Sequence, residues 1–217
     1  MYKTVLFDLD GTLLNTIDDL ADSANRVCAA HGWPQYETAQ YRYFVGNGIP
    51  KLVERLAPAD QRTPAVLEAA LADFKRDYGQ HLRDTTAPYP GIPEMLAKLK
   101  ANGVQLAVFS NKADALTKEV VKDYFGTQYF TIVRGQMTGV APKPAAEGTN
   151  ALLQALHADP ASTLYVGDSN VDVETAHNAN LPCCGAVWGF RTREELNAAG
   201  AEYLAENSDE LYDVIMK

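Results

Sequence analysis

Thr4-Val5-Leu6-Phe7-Asp8-Leu9-Asp10-Gly11-Thr12, near the start of the chain, decides how the rest is read. Four β-branched, aliphatic and aromatic residues make a short buried strand. It ends on two acids spaced two apart. In an open α/β sheet the ligand crevice lies outside the carboxyl ends of the strands, so Asp8 and Asp10 stand at the position for chemistry. Two carboxylates so close repel unless something positive lies between or beside them. Mg2+ suits that place, being hard and preferring carboxylate, carbonyl and water oxygens. Taken alone, the segment also reads as a plain Asp-Gly turn. A calcium loop of the EF-hand type does not fit: Leu13 and Leu14 fall where a further ligand is needed, and no Glu closes the loop.

Outward from this stretch the same form recurs. Leu106-Ala107-Val108-Phe109 runs into Ser110-Asn111-Lys112, and Phe130-Thr131-Ile132-Val133 follows. Thr163-Leu164-Tyr165-Val166 runs into Gly167-Asp168, and Pro182 to Val187 gives a further apolar run. Helical periodicity fills the intervals over residues 91–101, 113–124 and 146–157. Near-continuous apolar strands alternating with helices predict an α/β fold: a parallel, Rossmann-like sheet flanked by helices. Residues 16–83 break the alternation. Ile17, Leu20, Ala21, Ala24, Val27 and Cys28 recur at helical spacing, then Leu52, Val53 and Leu56, then Leu67, Ala70, Leu71, Phe74 and Tyr78 after Pro64. Thr16 and Asp19 read as a capping box at the first of these helices. The expected organisation is a core from residues 1–14 and 87–217, with residues 15–86 inserted as an all-helical subdomain.

The 217 residues are 47% apolar and 22% charged, the composition of an ordinary globule rather than a disordered chain. A formal net charge of −9 disfavours nucleic acid or an anionic membrane as partner. It leaves room for a small phosphorylated ligand, which needs only a local positive site. Cys28, Cys183 and Cys184 form no disulfide framework, and the four histidines have no zinc-ligand spacing. Met1-Tyr2-Lys3 leads straight into the strand without a signal-peptide pattern, and no stretch approaches the ~20 apolar residues of a membrane span. The expectation is a cytoplasmic protein, monomer or homodimer.

Four polar clusters carry the chemistry, three of them directly after apolar strands. Asp8 and Asp10 form the first acid pair. Ser110 and Asn111 offer a hydroxyl and backbone N–H groups able to cradle a phosphate, or a simple helix cap. Lys143 in Ala141-Pro142-Lys143-Pro144 is a cation on a stiffened backbone. Gly167-Asp168-Ser169-Asn170-Val171-Asp172 gives a second acid pair, with Asp172 in the first turn of a helix.

This order of motifs resembles the haloacid dehalogenase superfamily, and the resemblance covers essentially the whole chain. The helical insert after the first motif is similar to that family's C1-type cap, and Val45-Gly46-Asn47-Gly48 within it resembles the phosphoglycolate phosphatase branch. The third motif often reads Lys-Pro-x-Pro, whereas Ala146 here replaces the second proline. The resemblance implies Mg2+-dependent hydrolysis of a small phosphomonoester, phosphoglycolate foremost. Asp8 would be the nucleophile that forms an aspartyl-phosphate, and Asp10 the acid and base. Ser110, Asn111 and Lys143 would bind phosphate. Asp8, Asp10 (through its backbone carbonyl) and Asp168 would hold the metal, with Asp172 supporting it or Lys143. Gly46, Asn47, Gly48 and Arg191 are candidates for substrate contact. A sugar phosphomutase, a pyrophosphatase, a nucleotide phosphatase and a non-catalytic phosphate-binding module are the alternatives. Retention of both Asp8 and Asp10 speaks against the last and against a dehalogenase.

Overall fold

The computed structural model describes residues 1–217. In chain order its elements are β1 (Thr4–Phe7), β2 (Leu14–Asn15), α1 (Ile17–His31), α2 (Thr38–Phe44), α3 (Ile49–Leu56), α4 (Pro64–His81), β3 (Ala87–Pro88), α5 (Ile92–Ala101) and β4 (Gln105–Ala113). There follow α6 (Asp114–Phe125), β5 (Phe130–Gln136), α7 (Ala146–Leu156), β6 (Thr163–Gly167), α8 (Asn170–Asn178), β7 (Cys183–Ala186), α9 (Arg193–Ala199), β8 (Tyr203–Ala205) and α10 (Ser208–Met216). The chain divides into an α/β unit, Met1–Leu14 with Pro88–Lys217, and a helical unit, Asn15–Ala87.

In the α/β unit six parallel strands lie in the order β5-β4-β1-β6-β7-β8. The chain winds one way from β1 through β4 to β5, then returns to lay β6, β7 and β8 on the other side. The order therefore reverses at β1, and the crevice at such a switch point opens at the strands' carboxyl ends. Register fixes what reaches it. Phe7 pairs with Val108 on one side and Val166 on the other. Asp8, Phe109 and Gly167 thus come next, side by side, at the same end of the three strands.

Alternation explains why these strands read as unbroken apolar runs. Leu6, Ala107, Tyr165 and Cys183 form one row across the sheet. That row packs with Leu152, Leu153 and Leu156 of α7, Val173 of α8 and Leu196 of α9. Their chain neighbours Val5, Phe7, Leu106, Val108, Leu164 and Val166 point the other way and are equally buried. A sheet covered on both faces has no polar row to alternate with.

The helical unit is held by Leu20, Ala24, Val27, Leu52, Val53, Leu56, Phe74 and Tyr78, all buried. Its helix α1 stops at Gly32, whose N–H bonds back to Ala29. Its helix α4 starts on Thr63, whose hydroxyl accepts from the Val66 N–H, with Pro64 at the first helical position. The capping box expected at Thr16 does not form. Thr16 caps nothing and its buried hydroxyl has no partner. Asp19 turns instead to Thr85 and Thr86, accepting from both backbone N–H groups at 2.8 and 2.9 Å and from both hydroxyls. Four long-range donors outweigh the single bond a capping box would offer this carboxylate. No helix is long and apolar enough to cross a membrane.

Candidate active site

Three loops at the carboxyl end of the sheet build the site. The first follows β1. The Asp8 N–H donates to the Val166 carbonyl at 2.8 Å, fixing the start of the loop against β6. Gly11 then turns with φ +85°, a conformation that suits glycine. A side chain there would overlap the Asp168 carboxylate. The second loop follows β6. Ser169 caps α8 and Asp172 closes a capping box, its Oδ2 accepting from the Ser169 N–H at 3.1 Å and hydroxyl at 2.6 Å. The cap therefore aims Asp172 Oδ1 back at the sheet. The third loop carries Lys143. Asn111 holds its backbone at two points, accepting from the Lys143 N–H at 2.8 Å and donating to its carbonyl at 3.2 Å. The Lys143-Pro144 peptide is cis.

These loops bring one cation among acids. Lys143 Nζ lies 2.7 Å from Asp172 Oδ1 and 2.9 Å from Asp8 Oδ1, and donates to the Tyr165 hydroxyl at 3.2 Å. Its side chain is only 1% exposed. Burial works against its charge, but Asp172 and Asp8 prevail, and the ammonium is held well above its usual range. The ammonium approaches Asp8 outside hydrogen-bonding angles, so the buried Asp8 Oδ1 accepts no hydrogen bond.

Carboxylate oxygens of Asp8, Asp168 and Asp172 lie within 4.8 Å of one another. Burial, with the charges of Asp172 and Asp10 adding, raises Asp8 to about 7 although Lys143 opposes it. Burial, reinforced by Asp172 and Asp8, pushes Asp168 well above the carboxylate range. The Phe190 N–H at 2.8 Å and the Thr12 hydroxyl at 3.1 Å only moderate this. Such a cluster wants either protons or a hard cation. The donor set fits a divalent ion: all oxygen, one buried atom without a hydrogen bond, and four carboxylates facing two ammoniums, which leaves two charges to offset.

Of the residues expected in the site, Asp8, Lys143, Asp168 and Asp172 meet directly. Asp10 is partly exposed, and its carboxylate is bound by Lys112 rather than turned to the other three acids. Ser110 is buried and its Oγ accepts from the Lys112 N–H at 3.2 Å. Asn111 applies both ends of its amide to Lys143. Arg191 follows Phe190 in the segment between β7 and α9. Gly46, Asn47 and Gly48 lie between α2 and α3 in the helical unit. There Asn47 Oδ1 accepts from Arg55 at 2.8 Å, and Arg55 also grips the Phe44 carbonyl at 2.7 Å.

Sequence reading gives no role to Lys112, Tyr165 or the Phe190 N–H, and marks the run Trp188-Gly189-Phe190-Arg191 only as a candidate for substrate contact through Arg191. The Trp188 indole donates to the Thr12 carbonyl at 3.0 Å, seating the late loop on the first one. Gly189 permits this close approach, since a side chain there would overlap Asp168 and the Gly11 carbonyl. A backbone donor leaves no mark in a sequence, but Trp188-Gly189-Phe190 after a strand end was a usable signal.

A parallel sheet that reverses at β1, with acids and a buried lysine gathered at its strand ends, makes this an α/β protein whose site is built around carboxylates. The chain belongs to the haloacid dehalogenase-like hydrolases, whose family matches residues 5–186. It is 33% identical over 191 residues to the phosphoglycolate phosphatase of Mesorhizobium japonicum, covering 87% of this chain and 84% of that one. It is 31% identical over 222 residues to the Vibrio vulnificus phosphoglycolate phosphatase, covering 99% and 96%. Among solved structures, a Lactobacillus delbrueckii subsp. bulgaricus protein assigned to the phosphoglycolate phosphatases superposes with a TM-score of 0.93 at 28% identity, covering 99% and 98%. CbbY from Rhodobacter sphaeroides, in complex with phosphate, superposes with a TM-score of 0.78 at 25% identity, covering 97% and 96%. The family and these relatives make the chain a phosphoric monoester hydrolase.

Proposed function

We propose that this enzyme hydrolyses a small phosphomonoester, phosphoglycolate foremost, through an aspartyl-phosphate on Asp8 and with Mg2+. The observation that carries the reading is the meeting of Asp8, Lys143, Asp168 and Asp172 at the switch point of the sheet. An Asp8 oxygen attacks phosphorus. The bond from phosphorus to the substrate's bridging oxygen breaks, its electron pair stays on that oxygen, and the oxygen takes a proton from the Asp10 carboxylic acid. In the second half the Asp10 carboxylate removes a proton from water, and the water oxygen attacks phosphorus. The bond to Asp8 then breaks, releasing phosphate and restoring both carboxyl groups.

An anionic nucleophile meeting an anionic phosphate needs positive charge close by. Lys143 provides one part, its Nζ 2.9 Å from Asp8 Oδ1, an oxygen that accepts no hydrogen bond. Asp8, Asp168 and the backbone carbonyl of Asp10 would hold Mg2+, which supplies the rest by polarising the phosphoryl oxygens. Asp172 keeps Lys143 charged and in place. Ser110 and the backbone around Asn111 receive phosphoryl oxygens. Selection of the organic half falls, in this reading, to Arg191 and to Gly46, Asn47 and Gly48.

Phosphoglycolate is favoured because relatives of 33% and 31% identity are named phosphoglycolate phosphatases. Three buried free cysteines accord with a reducing, cytoplasmic setting. The test is phosphate release across a panel of phosphomonoesters, sugar phosphates, nucleotides and pyrophosphate, with Mg2+ and with EDTA. The reading expects a preference for phosphoglycolate and no turnover in EDTA. Turnover undiminished by EDTA would remove the metal, and a preference for a bulky phosphate would remove the substrate.

A further inference from the structure

Lys112 is a buried cation that the mechanism above does not use. Its side chain is 3% exposed, and its Nζ lies 3.0 Å from Asp10 Oδ1 and 3.3 Å from Oδ2. We propose that Lys112 is a positioning residue: it grips both oxygens of Asp10 and holds that carboxylate apart from the acids around Lys143, oriented for proton transfer. The inference rests on Asp10 being the acid and base of the proposed reaction.

The geometry supports this in three ways. First, Asp10 needs an external hold. Its side chain is 20% exposed, and it lies in the loop that also sends Asp8 toward Lys143. Without a partner its carboxylate would be free to turn toward any cation placed among Asp8, Asp168 and Asp172. A carboxylate bound there could not also deliver a proton to a leaving group. Second, Lys112 is itself anchored. Its N–H donates to Ser110 Oγ at 3.2 Å, and its carbonyl accepts from the Thr117 hydroxyl at 3.0 Å. Gly135 of the neighbouring strand packs so tightly on that carbonyl that a side chain there would overlap it. A lysine stem with a fixed backbone and little water around its head loses little further freedom in holding one geometry. Third, strand β4 runs to Ala113, so Lys112 is a strand residue. It falls in the irregular stretch bracketed by the pairs Phe109–Arg134 and Ala113–Gln136, so its backbone is tied to β5 on both sides.

The test is a double-mutant cycle on turnover with Lys112→Met, Asp10→Asn and the pair, plus Lys112→Arg. If Lys112 acts through Asp10, its loss counts only while Asp10 is present. Lys112→Met should lower kcat by about 10- to 100-fold with KM nearly unchanged, as expected when a catalytic group is displaced by a fraction of its reach. Lys112→Arg should recover a large part of that. In the Asp10→Asn background, Lys112→Met should change kcat by less than about twofold. A full multiplicative loss in that background overturns the proposal, since Lys112 would then act on its own. A raised KM with unchanged kcat also overturns it, by making Lys112 a substrate-binding group. If Lys112→Met does not fold, judged by circular dichroism, Lys112→Gln takes its place in the cycle. An Asp10→Asn enzyme as active as wild type would instead refute the role of Asp10, and Lys112 would fall with it.

Discussion

Lys143→Met removes one charge and keeps the apolar stem. In the wild type Nζ sits 2.7 Å from Asp172 Oδ1 and 2.9 Å from Asp8 Oδ1, and the Lys143 and Asp172 side chains are each 1% exposed. Removing one partner of a buried ion pair costs about 3–5 kcal/mol, because the other charge stays behind in a medium that solvates it poorly. Two features draw the cost toward the lower end. Asp172 keeps the Ser169 N–H and hydroxyl at 3.1 and 2.6 Å. The abandoned carboxylates can also take up protons. A loss of about 3 kcal/mol lowers Tm by about 6–12 °C for a chain of this size. The assay is calorimetric melting in EDTA at neutral pH of wild type, Lys143→Met, Asp172→Asn and the double variant. The double variant should melt above Lys143→Met, because it leaves one fewer unpaired charge. A Lys143→Met transition within about 2 °C of wild type would refute the reasoning. So would a double variant that loses the full sum of the two single effects, which would mean that the charges do not sense each other.

Gly11→Ala should weaken the site as well as the fold: φ +85° disfavours alanine, and its methyl would push on the Asp168 carboxylate. A stability loss of about 1–3 kcal/mol should accompany weaker Mg2+ binding by titration calorimetry, and wild-type affinity would contradict the crowding. In metal-free protein the folded state keeps a proton on Asp8 up to about 7, whereas the ordinary value is 3.8. Folding therefore binds a proton between those values, so the Asp8 contribution to stability falls as pH rises from about 4 to about 7. The Tm difference between wild type and Asp8→Asn in EDTA should shift against wild type over that window, and excess Mg2+ should remove the trend; a shift in wild type's favour would contradict it. Burial opposes ionisation of Asp19, but the donors on Thr85 and Thr86 prevail and lower its pKa. Its stabilisation is thus present at neutral pH and lost only as pH falls through that lowered value. Asp19→Ala should cost the helical unit about 1–3 kcal/mol, chiefly by stranding the buried Thr86 donors while exposed Thr85 turns to water, read by chemical denaturation at pH 7, and an unchanged midpoint would contradict the role given to that carboxylate.

Much of the α/β unit was legible because buried parallel strands carry a signal that no surface element shares. β1, β4 and β6 read as unbroken apolar runs, and each ends on the polar residues that matter. The elements that were missed are short or marginal. β8 spans Tyr203–Ala205 at the sheet edge, and α2 spans Thr38–Phe44, too few turns for a clear period. Thr16 and Asp19 carried a correct local signature that a long-range clasp to Thr85 and Thr86 overrode. The apolar run ends at Phe109, which puts Lys112 in a turn on sequence alone; the strand in fact continues to Ala113. Spacing alone left Asp172 between two roles, supporting the metal or supporting Lys143. Its distance to Lys143 could come only from the fold of three separate loops.

The most direct test is to stop the reaction with acid during steady turnover of a phosphomonoester and locate any covalent phosphoryl group by peptide mass mapping. The account predicts one phosphoryl group, on the peptide that carries Asp8, and none in Asp8→Asn. A running reaction with no labelled peptide, or with the label on another residue, would contradict it.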